Sequence, residues 1–250
     1  MKNYRVVLSA AGVSQYKEQT SKKWTVSVHY IAYREISSSL VKSSGYVVFE
    51  NCSKKQAAKL QKEINPYRVI HIAAEMNNGF LKTEKLLESN ATPLEDEAEF
   101  LSQYALPETL TDSQLGVFTL NKEFGYSEAW VELQGREISV LIYSKKDIEA
   151  LRLICADQDI FIENAKRYAA VKLLELGNQW QMDNADSSED YVPLTEDDFV
   201  NRMKLKEISL ENINGVSEYT LCFDDGDIFW GHSIVVFGDM ESGFTDAEMQ

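Results

Sequence analysis

Acidic, aromatic, glycine and imidazole groups are densest in one stretch of the 250-residue chain, Phe223-Asp224-Asp225-Gly226-Asp227-Ile228-Phe229-Trp230-Gly231-His232-Ser233-Ile234. Grouped carboxylates beside a histidine can bind a metal or serve as general acid and base. Asp224, Asp225, Asp227 and His232 form the only such cluster in the sequence. Their spacing argues against that chemistry, because in a strand His232 would lie roughly 16 Å from Asp227 at about 3.3 Å per residue, too far for one coordination sphere. His232 and Ser233 are adjacent, but neighbouring strand residues face opposite ways, so they cannot act as base and nucleophile. A second acidic stretch, with Asp183, Asp186, Glu189 and Asp190, lacks the glycine that a calcium loop needs and reads as a solvated loop. No nucleophile elbow, phosphate-binding glycine loop, zinc-protease helix or dinucleotide fingerprint occurs. The sequence therefore points to no catalytic residue, no metal ligand set and no cofactor.

The elements that must hold this cluster are strands. Asp225-Gly226 suits a two-residue hairpin turn, since both residues tolerate positive φ. That turn places Tyr219 opposite His232, Leu221 opposite Trp230, Phe223 opposite Ile228 and Asp224 opposite Asp227. Like charges directly across a ladder are destabilising, so either a cation or cationic side chain sits between the two aspartates or a wider loop lets both splay into water. Tyr219, Leu221, Trp230, His232 and Ile234 then belong to the core, with His232 bonded to a neighbour such as Tyr219. The three aspartates are left exposed at the tip.

Upstream, Leu115–Asn121, Tyr126–Gln134 and Arg136–Tyr143 read as a β-meander with short glycine-bearing turns. Helices follow over 145–156 and 160–180. In the second, Ile162, Ala165, Ala169, Leu173, Leu176 and Trp180 share one face, fit to lie on a sheet. Thr195-Glu196-Asp197-Asp198 opens a short helix, and strands follow at 205–210, 218–223 and 228–237.

In the first part of the chain, Tyr4–Ala10, Trp24–Ala32, Gly45–Glu50 and Tyr67–Ala73 read as strands. The alternation after Trp24 puts His29 on a solvated face. His71 falls in an apolar run and reads as a hydrogen-bonded core residue. Ser53-Lys54-Lys55-Gln56 has the capping-box form and starts a helix that Asn65-Pro66 ends. Residues 75–112 read as a linker zone carrying two short amphipathic pieces. The expected organisation is two α+β domains, 1–110 and 111–250, the second an antiparallel sheet with helices packed on one face.

Bulk properties narrow the function. The chain is 44% hydrophobic and 11% aromatic, ordinary for a globular protein, and has no apolar run of membrane-spanning length. Cys52, Cys155 and Cys222 are isolated, which suits a reducing compartment, so the expected location is cytoplasmic. The net charge of −15 is uneven: residues 1–110 hold 14 Lys and Arg against 12 Asp and Glu, while residues 111–250 hold 11 against 28. Such a field repels phosphate backbones and anionic lipid and attracts cationic partners. No nucleic acid and no membrane are expected as partners.

The block Asp224-Asp225-Gly226-Asp227-Ile228-Phe229-Trp230-Gly231-His232-Ser233-Ile234, followed by Thr245-Asp246-Ala247-Glu248, resembles the C-terminal signature of a bacterial domain family of unknown function. Leu115–Asn121, Trp130 and the helix from Tyr168 to Trp180 resemble earlier landmarks of the same family, so the resemblance spans about 112–250. It implies a bacterial source and a cytosolic α+β domain, and it supplies no activity. The region before it resembles an accessory domain.

Together these observations lead to a non-catalytic interaction protein that binds a basic protein through acidic residues. An immunity protein that neutralises a basic toxin is one such case. The expected contact residues are Asp224, Asp225, Asp227, Asp183, Asp186, Glu189 and Asp190. The rival reading is a metal-binding or hydrolytic enzyme centred on the Asp224–Asp227 tip.

Overall fold

Strands that alternate buried and exposed side chains dominate an α+β structure, a computed structural model that describes residues 1–17, 21–183 and 192–250. The backbone divides into two compact units, Met1–Pro107 and Glu108–Gln250.

The first unit contains β1 (Lys2–Tyr16), β2 (Trp24–Glu35), β3 (Gly45–Cys52), α1 (Lys54–Glu63), β4 (Val69–Asn77), β5 (Phe80–Ala91) and α2 (Glu95–Tyr104). Its strands close into a barrel in the order β1-β2-β3-β5-β4, with β3 and β5 parallel. One helix between β3 and β4 completes a small Greek-key barrel. Val6, Val26, Val28, Tyr30, Val47, Ile70, Ile72 and Leu81 fill its interior. The capping box at Ser53 forms: its hydroxyl accepts from the Gln56 amide at 3.3 Å, and the Gln56 side chain accepts from the Ser53 amide at 2.8 Å.

The linker reading of 75–112 is corrected. Asn78 and Gly79, at φ 47° and 81°, make the tight turn of a hairpin between β4 and β5. Helix α2 then packs Phe100, Leu101 and Tyr104 against Val7, Ile31, Ala32, Val69 and Ala91. Its acidic start looks like solvated loop in sequence, yet Glu97 is fully buried. It accepts from Arg5 at 2.8 and 2.9 Å and pairs with Arg34 at 3.2 Å. Two guanidiniums contributed by β1 and β2 are what make that burial tolerable.

The second unit contains β6 (Thr109–Asp112), β7 (Gly116–Asn121), β8 (Tyr126–Leu133), β9 (Arg136–Ile142), α3 (Asp147–Ala156), α4 (Gln158–Asp183), α5 (Glu196–Arg202), β10 (Lys204–Ile213), β11 (Val216–Asp224), β12 (Ser233–Asp239) and β13 (Gly243–Met249). These strands form one eight-stranded sheet in the order β13-β12-β11-β10-β9-β8-β7-β6. It is not wholly antiparallel as expected, because β9 and β10 run parallel. The helices lie between those two strands in the chain, and a long crossover allows parallel pairing that a tight turn forbids.

Alternate residues on β8 separate two environments: Val131 and Leu133 join the core with α3, α4 and α5, while Trp130 is 64% exposed. On α4 the buried stripe is Ile162, Ala165, Ala169, Ala170, Leu173 and Gly177, whereas Leu176 is exposed. Gly177 replaces Leu176 in the stripe because Ile228 and Phe199 crowd that point of the helix.

Candidate functional site

The hairpin expected at Asp225-Gly226 does not form. Strands β11 and β12 pair Tyr219 with Gly238, Leu221 with Val236, Phe223 with Ile234 and Asp224 with Ser233, so residues 225–232 are a wide loop. Asp224 and Asp227 do not face each other: the wide loop leaves Asp227 in solvent, whereas Asp224 pairs with the cationic side chain of Lys206.

One carboxylate organises the loop. Asp225 is 2% exposed, and its two oxygens accept from the amides of Asp227 at 3.2 Å, Phe229 at 2.6 Å and Gly231 at 3.3 Å. Gathering three amides on one carboxylate forces the chain to curl, and Gly226, Asp227, Trp230 and Gly231 all take positive φ. At Gly226 (φ 56°) a Cβ would sit 2.6 Å from the Arg202 carbonyl oxygen, so glycine is required there for space as well as for conformation. The curl drives Ile228 and Phe229, both fully buried, onto α4 and α5. A Cβ on Gly177 would meet Ile228 Cγ2 at 3.0 Å and Phe199 Cε2 at 3.2 Å. Phe229 also packs edge-on against Trp180 and Phe199.

Several sequence expectations change accordingly. Asp225, expected as an exposed contact residue, is buried because its charge is spent on backbone amides. Trp230 and His232, expected in the core, are exposed because the strand they were assigned to begins only at Ser233. Trp230 is 59% exposed at φ 59°, a conformation a bulky side chain rarely adopts. His232 sits at the surface with its ring edge-to-face against Trp180 at 5.8 Å rather than bonded to Tyr219. Asp224 is half-buried, accepting from the Gly226 amide and from Lys206 Nζ at 2.8 Å, and the lysine hydrogen bond holds its carboxyl below the usual carboxylate range. Asp227 is exposed.

The second acidic stretch begins beside this loop. Gln181, near the end of α4, donates through Nε2 to the carbonyls of Asp227 at 2.9 Å and Ile228 at 2.6 Å. Asp183, two residues on, is exposed and accepts from Gln179 at 2.7 Å. Asp186, Glu189 and Asp190 lie outside the described residues. Helix α4 has 26 residues and no basic residue in its last turn to offset the helix's negative pole.

Asp183, Asp227, Trp230 and His232 thus share one neighbourhood: exposed acids, an exposed indole and a helix C-terminus. Among the described residues no three His, Cys, Asp or Glu side chains are grouped so that they could hold a metal ion. The three aspartates of 224–227 have separate roles: Asp224 pairs with Lys206, Asp225 holds amides, and Asp227 is open to solvent.

The family model for uncharacterized proteins conserved in bacteria, DUF2262, matches residues 112–249. The chain belongs to this family. The match runs from the end of β6 to β13 and takes in the 224–232 loop, so the DUF2262 unit includes both Asp225 and the helix that receives Phe229. No curated protein matches the chain. Among solved structures, a murine DNA-binding protein bound to double-stranded DNA is 12% identical, covering 58% of this chain and 78% of that one with a TM-score of 0.23. Nothing about fold or ligands follows from a TM-score that low. Among the described residues no helix is long and apolar enough to cross a membrane.

In the first unit, His29 and His71 also depart from expectation. His29 lies on the outward face but packs against Tyr46 at 5.1 Å, its Nδ1 buried without a hydrogen-bond partner among the described residues. His71 is half-buried, and its Nε2 likewise has no hydrogen-bond partner among the described residues.

Proposed function

We propose that the DUF2262 unit is a non-catalytic protein-interaction domain that docks a cationic protein partner on the 224–232 loop and the end of α4. The observation that carries this reading is Trp230: an indole held out in solvent by a loop whose backbone is fixed from within by Asp225. Backbone strain at a bulky residue persists only where the surroundings over-determine it, and it concentrates at functional sites. Exposed tryptophan is a favoured anchor of protein interfaces. An exposed indole in a loop that also exposes the Asp227 carboxylate suits a partner rich in arginine and lysine, which gain cation–π contact with the ring and ionic contact with the acid.

Charge supports the same partner. The unit Glu108–Gln250 holds 11 Lys and Arg against 29 Asp and Glu. Such a field accelerates encounter with a basic protein. An immunity protein that blocks a basic toxin is the specific form we favour. In this reading the two units are separate domains of a cytoplasmic protein, consistent with three free cysteines. The contact residues are Trp230, Asp227 and Asp183, with Asp186, Glu189 and Asp190 following in the chain.

The test is capture of a basic protein by the full-length chain from its native host, followed by titration with the purified partner. Trp230→Ala is expected to weaken binding by about thirtyfold or more, as for an interface anchor. Asp227→Asn with Asp183→Asn is expected to lower the association rate and its salt dependence. Recovery of no basic partner, or an affinity indifferent to Trp230→Ala, would overturn the proposal.

A further inference from the structure

The outer wall of the first unit's barrel carries a feature that the acidic unit does not explain. Outward-facing residues of three adjacent strands, His29 on β2, Tyr46 on β3 and Phe80 on β5, stand in one row. The His29 and Tyr46 rings are 5.1 Å apart, and the Tyr46 and Phe80 rings stack on each other with centroids 6.1 Å apart and planes 19° from parallel. Tyr46 is 44% and Phe80 50% exposed, so apolar ring surface is offered to solvent where a barrel wall would ordinarily be polar. The row is rigidly set. Tyr30 donates its hydroxyl to the Gly79 carbonyl at 2.9 Å, and Gly45 has no room for a Cβ, which would lie 2.1 Å from that same oxygen.

The next outward row holds Lys82, beside Val48 and Ser27, with Lys82 ion-paired to Glu50 at 2.7 Å. Further along, at the end of the face formed by β1 and β2, Tyr16 is 55% exposed opposite Thr25, and Lys17, Lys22 and Lys23 flank it. The face therefore runs about 20 Å from the aromatic row to the lysines, taking about 3.3 Å per strand residue. The acidity that excludes phosphate backbones belongs to the other unit. Met1–Pro107 holds 14 Lys and Arg against 11 Asp and Glu.

We propose that this face binds single-stranded nucleic acid, with bases on Tyr46, Phe80 and His29 and the phosphate backbone led past Lys82 towards Lys17, Lys22 and Lys23. Stacking on exposed aromatics combined with lysines along the backbone path is how single strands are held without sequence readout. Duplex fits poorly, because its base faces are hidden within the stack and cannot reach the rings. A neutral oligosaccharide would use the rings but not the lysines.

The test is fluorescence anisotropy of a labelled oligothymidylate of about twelve nucleotides, titrated with the full-length chain at about 50 mM salt. Saturable binding is expected, weakened at least tenfold by Tyr46→Ala with Phe80→Ala and largely retained by Tyr46→Trp. Lys82→Gln is expected to flatten the dependence of affinity on salt. Circular dichroism melting of each variant should match the parent, since these side chains are exposed. Absence of binding, binding indifferent to the double alanine variant, displacement of the oligonucleotide by an equal concentration of duplex, or displacement by a neutral oligosaccharide would each overturn the assignment.

Discussion

Gln181 and Asp227 are joined across the fold: the Gln181 side-chain amide donates to the Asp227 carbonyl at 2.9 Å and to the next carbonyl, Ile228, at 2.6 Å. One amide thereby ties the end of α4 to the crown of the 224–232 loop. Gln181→Ala leaves the part-buried Ile228 carbonyl without that donor, an omission that costs about 1–3 kcal/mol. Urea unfolding should show a lower midpoint with an unchanged slope. A midpoint equal to the parent's would mean the loop holds its shape without α4.

Asp225 and Asp227 are chemically identical and should behave oppositely. Removing the Asp225 carboxylate strands the buried Phe229 amide and frees two others, so Asp225→Ala should cost about 2–4 kcal/mol. Asp227→Asn, at an exposed position and with a side chain that tolerates the same φ of 65°, should stay within about 0.5 kcal/mol. Denaturant titration of both variants makes the comparison. Equal effects would mean that the curl is not organised by Asp225.

Gly177 and Gly226 test the packing of the same loop. Alanine at Gly177 improves helix propensity by about 1 kcal/mol but presses on Ile228 and Phe199 at 3.0 and 3.2 Å. Overpacking costs about 1–3 kcal/mol, so the net loss should be small, about 0–2 kcal/mol. At Gly226 the obstacle is the Arg202 backbone, 2.6 Å away, and the φ of 56° adds strain. Gly226→Ala should therefore be the more damaging, by about 2 kcal/mol or more. Thermal unfolding of the pair reads the order, and a reversed order would contradict the geometry.

Glu97 sets a pH dependence in the first unit. Burial alone would raise its carboxyl, but the hydrogen bonds from Arg5 and from the Leu94 amide outweigh burial and leave it below the ordinary value of 4.5. A carboxyl lowered in the folded state contributes stability that is fully present above its unfolded value and is lost as pH falls below about 4.5 towards the folded value. Glu97→Gln leaves Arg5 without its charge partner, while Arg34 keeps its pair with Asp96, and should cost about 3 kcal/mol at neutral pH. It should also remove part of the acid-induced loss, which stability curves at pH 7 and at about pH 4 would show.

The sequence made the regular elements legible wherever local chemistry decides them. The alternation after Trp24, the Ser53 capping box, the meander before Tyr143 and the stripe from Ile162 to Leu173 each depend on residues a few positions apart. The departures follow one pattern. Helix α2 was hidden because Glu97 looks solvated until Arg5 and Arg34 arrive from strands far earlier in the chain. The exposure of Trp230 and His232 was hidden because Asp225-Gly226 satisfies the requirements of a tight turn, and only the pull of three amides on Asp225 and the seat for Phe229 at Gly177 select the wide loop instead. The row of His29, Tyr46 and Phe80 left no trace at all, since its members are widely separated in sequence and meet only when β3 and β5 pair in parallel.

By itself, then, the sequence determined the α+β class, the uneven distribution of charge and the family signature. These are properties of composition, of short-range periodicity and of contiguous residues. Tertiary structure alone decided that Asp225 is buried, that Trp230 is offered to solvent and which aromatics share a face. Each of those outcomes depends on a partner distant in the chain, and a strand register shifted by a few residues reassigns all of them at once.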